Sequence, residues 1–320
     1  MWQTPVDIPK SERQFDQHVK GLALGSCFAD EMGQRLSDLY FDVVVNPFGV
    51  IYNPHTISKI VQLIAGKGDW DPKEVFFHEG LWRHFDFHSR VSNPDRDTFS
   101  ELVSGKIQDA HLQLQQADCV MITYGSAFVW VHNEDRIVGN CHKLPGDQFK
   151  RRLLTSDEII LSLRNTIKTI QSVNNSCEII FTVSPVRHLR DGLIQNNWSK
   201  ARLLDAVHSV TSMDDRVYYF PSYEIAMDEL RDYRFYKPDK MHLTEEATDY
   251  VFSKFFESWF DEVPGEYVKL VSKLSRLNDH KPFHQSTENS NKKQSEINKL
   301  VTKAKDLFNK TIEIPPSSNH

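Results

Sequence analysis

Gly21-Leu22-Ala23-Leu24-Gly25-Ser26-Cys27-Phe28 is the stretch on which the fold turns: an apolar run stops at a glycine and passes at once into helical spacing. Phe28, Met32, Leu36, Leu39 and Tyr40 recur three or four residues apart, so they share one face of a helix. The reading is strand, tight turn, helix. A second strand follows in Phe41-Asp42-Val43-Val44-Val45 and closes on Asn46-Pro47-Phe48-Gly49, with a helix around 56–64. Further on, a helix over 98–116 leads into the apolar strand 117–124, which ends at Gly125. A helix over 156–174 precedes strand 178–183, which stops at Ser184-Pro185. Helix 197–211, strand 217–220, helix 222–231 and helix 244–260 complete the series. Strands alternating with helices at this spacing predict an α/β fold with a doubly wound parallel sheet. Its strand carboxyl ends gather on one edge, where such folds place their sites.

Two stretches interrupt the alternation. Residues 66–98 carry Trp70, Phe76, Phe77, Trp82, Phe85 and Phe87 among polar turn formers, and read as an aromatic-rich insertion with short strands. Residues 128–138 read as a short hairpin. From about residue 276 the chain turns polar, through Gln285-Ser286-Thr287-Glu288-Asn289-Ser290, before a weakly amphipathic helix with Ile297, Leu300, Ala304, Leu307 and Phe308. Residues 1–262 are therefore expected to form the domain, and 263–320 a linker and loosely docked tail, helical or disordered.

The bulk numbers narrow the function. The chain has 320 residues, 39% of them hydrophobic and 11% aromatic, enough for a sizeable core. A formal charge of −6 gives no basic footprint for nucleic acid. No apolar run reaches the roughly 18 residues of a membrane span. The first residues, Met1-Trp2-Gln3-Thr4-Pro5, lack a basic region followed by an apolar one, so a cytoplasmic protein is expected. Cys27, Cys119, Cys141 and Cys177 are scattered with no CxxC pair, which argues against a disulfide framework or a thiolate zinc site. Phosphate-loop, dinucleotide-binding and HExxH motifs are absent, so no cofactor is expected. His78, His84 and His88 suggest a metal by spacing, but their aromatic, strand-like setting argues against one.

Chemistry is concentrated at two places. Ser26 and Cys27 occupy a strand-to-helix turn, where unpartnered amides and the positive end of the helix dipole stabilise an anion. A cysteine there can be activated, and a serine gains an oxyanion site. The plainer readings are a helix N-cap for Ser26 and a small buried residue for Cys27. In Asp239-Lys240-Met241-His242 a carboxylate and an imidazole stand three residues apart, directly before a helix capped by Thr244. A carboxylate so placed can hold an imidazole's tautomer and support its positive charge.

Gly25-Ser26-Cys27-Phe28-Ala29 resembles the signature of the GSCFA family, which is grouped with SGNH/GDSL-type hydrolases. Asn46-Pro47-Phe48-Gly49-Val50-Ile51-Tyr52-Asn53-Pro54, Cys141-His142-Lys143-Leu144-Pro145, Ser184-Pro185-Val186-Arg187, Ser199-Lys200 and the 239–242 block are similar to that family in the same order, covering about residues 1–260. The resemblance implies a flavodoxin-like fold of SGNH hydrolase type. It implies an esterase or acyltransferase for an acylated carbohydrate or other small acyl substrate, acting through a Cys/Ser-His-Asp arrangement. It places Cys27 rather than Ser26 on the nucleophile position, Asp239 and His242 on the last block, and the Gly49 amide at the oxyanion. Gly125-Ser126-Ala127 stands where the superfamily has Gly-x-Asn, so the usual asparagine amide is missing. Ser126, Asn46 and His142 are candidates to replace it, and Arg187 is a candidate to hold an anionic or sugar substrate. The same departure leaves open a non-catalytic module that keeps the fold and binds a glycan or a protein.

Overall fold

The computed structural model describes residues 4–68, 70, 74–133, 136–260, 262–279 and 287–314. Strand β1 (Lys20–Gly25) lies inside the sheet, buried at every position but its first. It pairs in parallel with β2 (Asp42–Val45) on one side and with β5 (Cys119–Tyr124) on the other. β9 (Glu178–Val183) and β10 (Val217–Tyr219) extend the sheet in parallel, giving the order β10-β9-β5-β1-β2. This is the flavodoxin-type order, and its reversal point falls between β1 and β5, where a crevice opens at the strands' carboxyl ends.

Period-two alternation sends neighbouring side chains to opposite faces, and helices cover both. On one face Leu22, Leu24, Val120, Ile122, Ile179 and Phe181 pack with α2 (Pro54–Ile64), α3 (Arg96–Gln116), α4 (Ser156–Val173) and α5 (Leu193–Thr211). On the other, Cys119 and Ile180 join α1 (Cys27–Asp38) and α7 (Glu245–Trp259) through Phe28, Leu36, Val251 and Phe255. Each such fully buried Leu or Phe contributes roughly 1.5–3 kcal/mol. Among the described residues no helix is long and apolar enough to cross a membrane.

The insertion forms a hairpin of β3 (Val75–His78) and β4 (Leu81–His84). The expected hairpin of β6 (Phe128–His132) and β7 (Arg136–Val138) has gained a third strand, β8 (Phe149–Leu153), on its other edge. That strand is hidden in the sequence because Lys150, Arg151 and Arg152 interrupt its apolar signal. Arg151 nonetheless belongs to the sheet face, its guanidinium 4.7 Å from the ring centre of Trp130 and 5.2 Å from that of Phe128. Helix α5 starts four residues before its expected position, since its first turn turns Leu193 and Ile194 to solvent and carries no amphipathic mark. Instead of a helix over 222–231 there is one turn, α6 (Ser222–Glu224), running into a π-helical turn over Ile225–Glu229.

The C-terminal stretch is seated more firmly than its composition suggests. α8 (Gly265–Asp279) and α9 (Thr287–Phe308) bury Tyr267, Val271, Leu274, Ile297 and Ala304 in the same cluster as Phe28 and Leu36. Tyr267 also donates its hydroxyl to the Leu39 carbonyl at 3.1 Å. Its polar residues are the outer faces of two helices whose apolar faces are narrow. Of the polar run read as a linker, Gln285 and Ser286 lie outside the described residues.

Gly25 makes the strand-to-helix turn possible. It has φ +130°, and a Cβ there would stand 2.2 Å from the Thr123 carbonyl oxygen. Because the obstacle is backbone, nothing flexible can yield. Gly25→Ala is expected to destabilise the protein by about 2–5 kcal/mol, through strain and overpacking together. An unchanged urea midpoint would contradict the close approach of β1 and β5.

Candidate active site

The carboxyl edge of the sheet gathers five loops, and the first is the turn after β1. Ser26 caps α1: it is 2% exposed, its amide donates to the Thr123 carbonyl at 3.0 Å, and its Oγ accepts from the Phe28 amide at 3.3 Å. Its hydroxyl therefore does the work of a helix cap. Cys27 is the first helical residue and is half-buried. At that position its amide has no carbonyl one turn back to accept it. Burial pushes the thiol up, and the Glu31 and Asp30 carboxylates push it further, whereas Lys200 and the Phe28 amide pull it down. The helix start does not by itself yield a thiolate here, so proton removal needs a base.

The 239–242 loop carries an imidazole paired with a carboxylate. Asp239 accepts from the Met241 and His242 amides through Oδ1, at 2.9 and 3.1 Å, and from His242 Nδ1 through Oδ2 at 2.6 Å. Those amides and the ring hold the Asp239 carboxyl far below the usual carboxylate range. With Nδ1 turned to the carboxylate, Nε2 is the nitrogen left to accept a proton. The loop is closed at its base by the Lys237 amide donating to the His242 carbonyl at 2.8 Å, and by a β-bridge between Tyr236 and Leu243.

Two ties bring this loop to the sheet edge. Lys237 Nζ stands 3.7 Å from Glu31 Oε1, one helical turn along from Cys27. Downstream of β9, the Arg187 amide donates to the Met241 carbonyl at 3.4 Å. Arg187 lays its guanidinium over the Tyr236 ring at 4.9 Å, so its charge is partly spent on an aromatic face. Along α1 and the end of β2, a cleft of about 570 Å³ is lined by Asp30, Glu31, Asn46, Gly49, Arg90 and Glu245, among others.

The groups considered as oxyanion donors are largely committed within the fold. The Gly49 amide donates to the Asn46 carbonyl at 2.7 Å, and a Cβ on Gly49 would collide with His88 Cβ at 2.4 Å. Asn46 accepts the Gly25 amide at 2.7 Å and gives its own side-chain amide to Asp30. The amides of Gly125 and Ser126 both reach the Tyr52 carbonyl, at 2.8 and 3.1 Å. Ser126 Oγ accepts from the Phe128 amide at 3.1 Å and shares a hydrogen bond with Ser199 Oγ at 3.3 Å. His142 sits between β7 and β8 against the insertion, 1% exposed, with Nε2 donating to the His84 carbonyl at 2.8 Å and Nδ1 facing Ser89 Oγ at 3.3 Å. Burial brings it down to about 4, so it is a neutral structural histidine. Tight turns use up backbone and amide donors that sequence alone leaves looking available.

Two residues take more prominent places than sequence reasoning gave them. Lys200, on α5, is 1% exposed and donates from Nζ to the Gly125 carbonyl at 2.7 Å and the Ser184 carbonyl at 2.6 Å. It thereby joins the ends of β5 and β9 beneath the site. Burial pulls its ammonium down to about 7, and Cys27 acts in the opposite sense. His188 hangs from the same loop as Arg187, its amide held by Asn196 Oδ1 at 2.9 Å and its ring 5.2 Å from that of Tyr52. A Cβ on Gly125 would meet Ser26 Cβ at 3.2 Å and His188 Nε2 at 3.3 Å, so the imidazole lies near the turn after β1. Burial is the first cause bringing His188 down to about 3, followed by Lys200 and Arg151, with His242 also contributing. The sequence signal for both was present, in Ser184-Pro185-Val186-Arg187-His188 and Ser199-Lys200.

A metal has one candidate place among the described residues, where ligand atoms of Glu74, His84 and Asp86 lie within 4.8 Å of one another. His84 Nδ1 accepts from the Asp86 amide at 3.1 Å, so the ring proton is on Nε2, facing Glu74 at 3.3 Å. Glu74 is paired with Arg136, and Asp86 with Lys59 at 2.5 Å. Two cations already neutralise the carboxylates, which disfavours a third.

Two crystal structures resemble the chain distantly. One is a carbohydrate esterase family 3 protein from Talaromyces cellulolyticus, with 9% identity, a TM-score of 0.35, and coverage of 80% of this chain and 99% of that one. The other is a mutant acetyl esterase with acetate ion, with 12% identity, a TM-score of 0.32, and the same coverages of 80% and 99%. No curated protein matches the sequence. The family match runs over residues 20–255, from the first residue of β1 to well inside α7, and so takes in the Ser26-Cys27 turn, the buried lysine and the 239–242 loop: the chain belongs to the GSCFA family.

Proposed function

We propose that the chain is an esterase or acyltransferase that moves an acyl group from a hydroxyl, such as that of a sugar, through a thioester on Cys27. His242 Nε2 takes the thiol proton as Cys27 Sγ attacks the acyl carbonyl. Collapse of the tetrahedral intermediate breaks the ester C–O bond, and the proton passes from His242 to the departing alkoxide. Water or an acceptor hydroxyl then attacks the thioester with His242 again as base. That step releases acid or a new ester and restores the thiol. Asp239 holds the tautomer and supports the imidazolium. A thioester passes its acyl group readily to hydroxyls, which favours transfer alongside hydrolysis. Arg187 and the adjacent cleft are the proposed surroundings of the substrate.

The observation that carries this reading is the Asp239–His242 pair, with Nε2 left for a substrate proton, on a loop pinned by Lys237 to the helix that begins with Cys27. The test is intact-mass spectrometry after brief exposure to p-nitrophenyl acetate. One acetyl group is expected on the peptide containing Cys27, absent in Cys27→Ala and slow to appear in His242→Ala. An adduct persisting on Ser26 in Cys27→Ala would move the nucleophile by one residue. The absent Gly-x-Asn asparagine favours a second reading, a non-catalytic glycan- or protein-binding module. No adduct in the wild type, with no turnover of acylated sugars, would support it.

A further inference from the structure

Resting on that reading, we infer that His188 donates from Nε2–H to the substrate's carbonyl oxygen as it becomes an oxyanion, filling the place of the missing asparagine amide. Acyl transfer builds negative charge on that oxygen, and a site lacking a preorganised donor loses much of its rate. The superfamily's asparagine would belong near Gly125-Ser126-Ala127, which offers no side-chain amide. Of the candidates to replace it, the Gly49, Gly125 and Ser126 amides and one N–H of the Asn46 side chain already donate within the fold.

His188 differs from them in one respect. Its Nε2 is buried and has no hydrogen-bond partner, although a buried polar nitrogen ordinarily finds one. That atom lies 3.3 Å from the point where a Cβ on Gly125 would stand, and Ser26 Cβ lies 3.2 Å from the same point. It therefore adjoins the turn that carries Cys27. The ring stands against that of Tyr52 and the His188 amide is clasped by Asn196, so the fold sets the imidazole's position. A Cβ at Gly125 would collide with Tyr52 Cβ at 2.8 Å and crowd the imidazole, so the glycine leaves room for both rings. The neighbouring Lys200 and Arg151 charges favour the uncharged ring, and a neutral imidazole can serve as an oxyanion donor without competing with His242 for the thiol proton.

The test separates acylation from simple thiol reactivity in the full-length protein. Acylation by p-nitrophenyl acetate passes through an oxyanion, whereas alkylation of Cys27 by iodoacetamide does not. His188→Ala is expected to slow acylation by about 10²–10³-fold, with KM and the alkylation rate changed by no more than about threefold. His188→Gln, which restores an amide donor, is expected to recover at least about tenfold of the loss. Urea midpoints of both variants show whether the fold persists, and the glutamine variant keeps the comparison meaningful if the alanine variant unfolds. Acylation by His188→Ala within about threefold of wild type would overturn the inference, as would acylation and alkylation falling in parallel. If Cys27→Ala abolishes acylation while His188→Ala does not, only this inference fails. If Cys27→Ala leaves acylation intact, the thioester reading fails and this inference with it.

Discussion

Asp239→Asn is expected to lower kcat by about 10²–10⁴-fold while barely moving the unfolding midpoint. An asparagine keeps the volume and can still accept the Met241 and His242 amides through Oδ1, so the turn survives. What changes is the group facing His242 Nδ1. An amide NH2 there would donate rather than accept, forcing the ring proton onto Nε2 and leaving no acceptor for the Cys27 proton. His242→Ala removes the base itself, and its acylation rate should fall by about 10³-fold or more. The pair is more than a third exposed, at 36% for His242 and 38% for Asp239, so salt screens it and the effect should shrink as ionic strength rises. Steady-state and burst kinetics on an activated ester read both changes. Equal rates for Asp239→Asn and wild type would remove Asp239 from the machinery.

Lys200→Met is expected to destabilise the protein by about 2–5 kcal/mol at pH 8, because the Gly125 and Ser184 carbonyls lose their buried donor. The loss should be smaller at lower pH. An unfolded lysine keeps its proton to beyond about pH 10, while burial brings Lys200 to about 7 in the fold, against the pull of Cys27. Between those values the unfolded chain binds more protons, so the lysine's contribution to stability rises with pH. From pH 6.5 to 8 the wild type should gain at most about 1 kcal/mol over Lys200→Met. Taking the difference removes the titratable groups that do not feel Lys200, which excludes Cys27 and His188. Urea midpoints at the two pH values measure it, and a difference independent of pH would contradict a buried ammonium near its titration point. Because Lys200 also pulls the Cys27 thiol down, iodoacetamide alkylation of Lys200→Met should move to higher pH.

The site shows where linear reading succeeds and where it stops. The turn at Gly25-Ser26-Cys27 was legible because a glycine that must adopt φ +130° ends an apolar run, and helical spacing starts immediately after it. The Asp239–His242 pair was legible because its partners are three residues apart and the turn that joins them is local. Oxyanion donors were not. Whether Gly49 or Asn46 has a spare N–H depends on which carbonyl or carboxylate folds back onto it, and Asn46 meets its partners at Gly25 and Asp30 across a strand pairing.

Residue pattern alone determined the α/β class, the sequence of strands and helices around the sheet, and the two chemistry-bearing turns, because periodicity, glycine strain and short-range capping act within a few residues. Tertiary structure decided that β8 completes a second sheet, that α8 and α9 share a core cluster with the first helix, and that His188 and Lys200 meet at Gly125. Those outcomes depend on desolvation and on hydrogen bonds between segments tens of residues apart. A charged or polar side chain looks the same in sequence whether water or a buried carbonyl receives it.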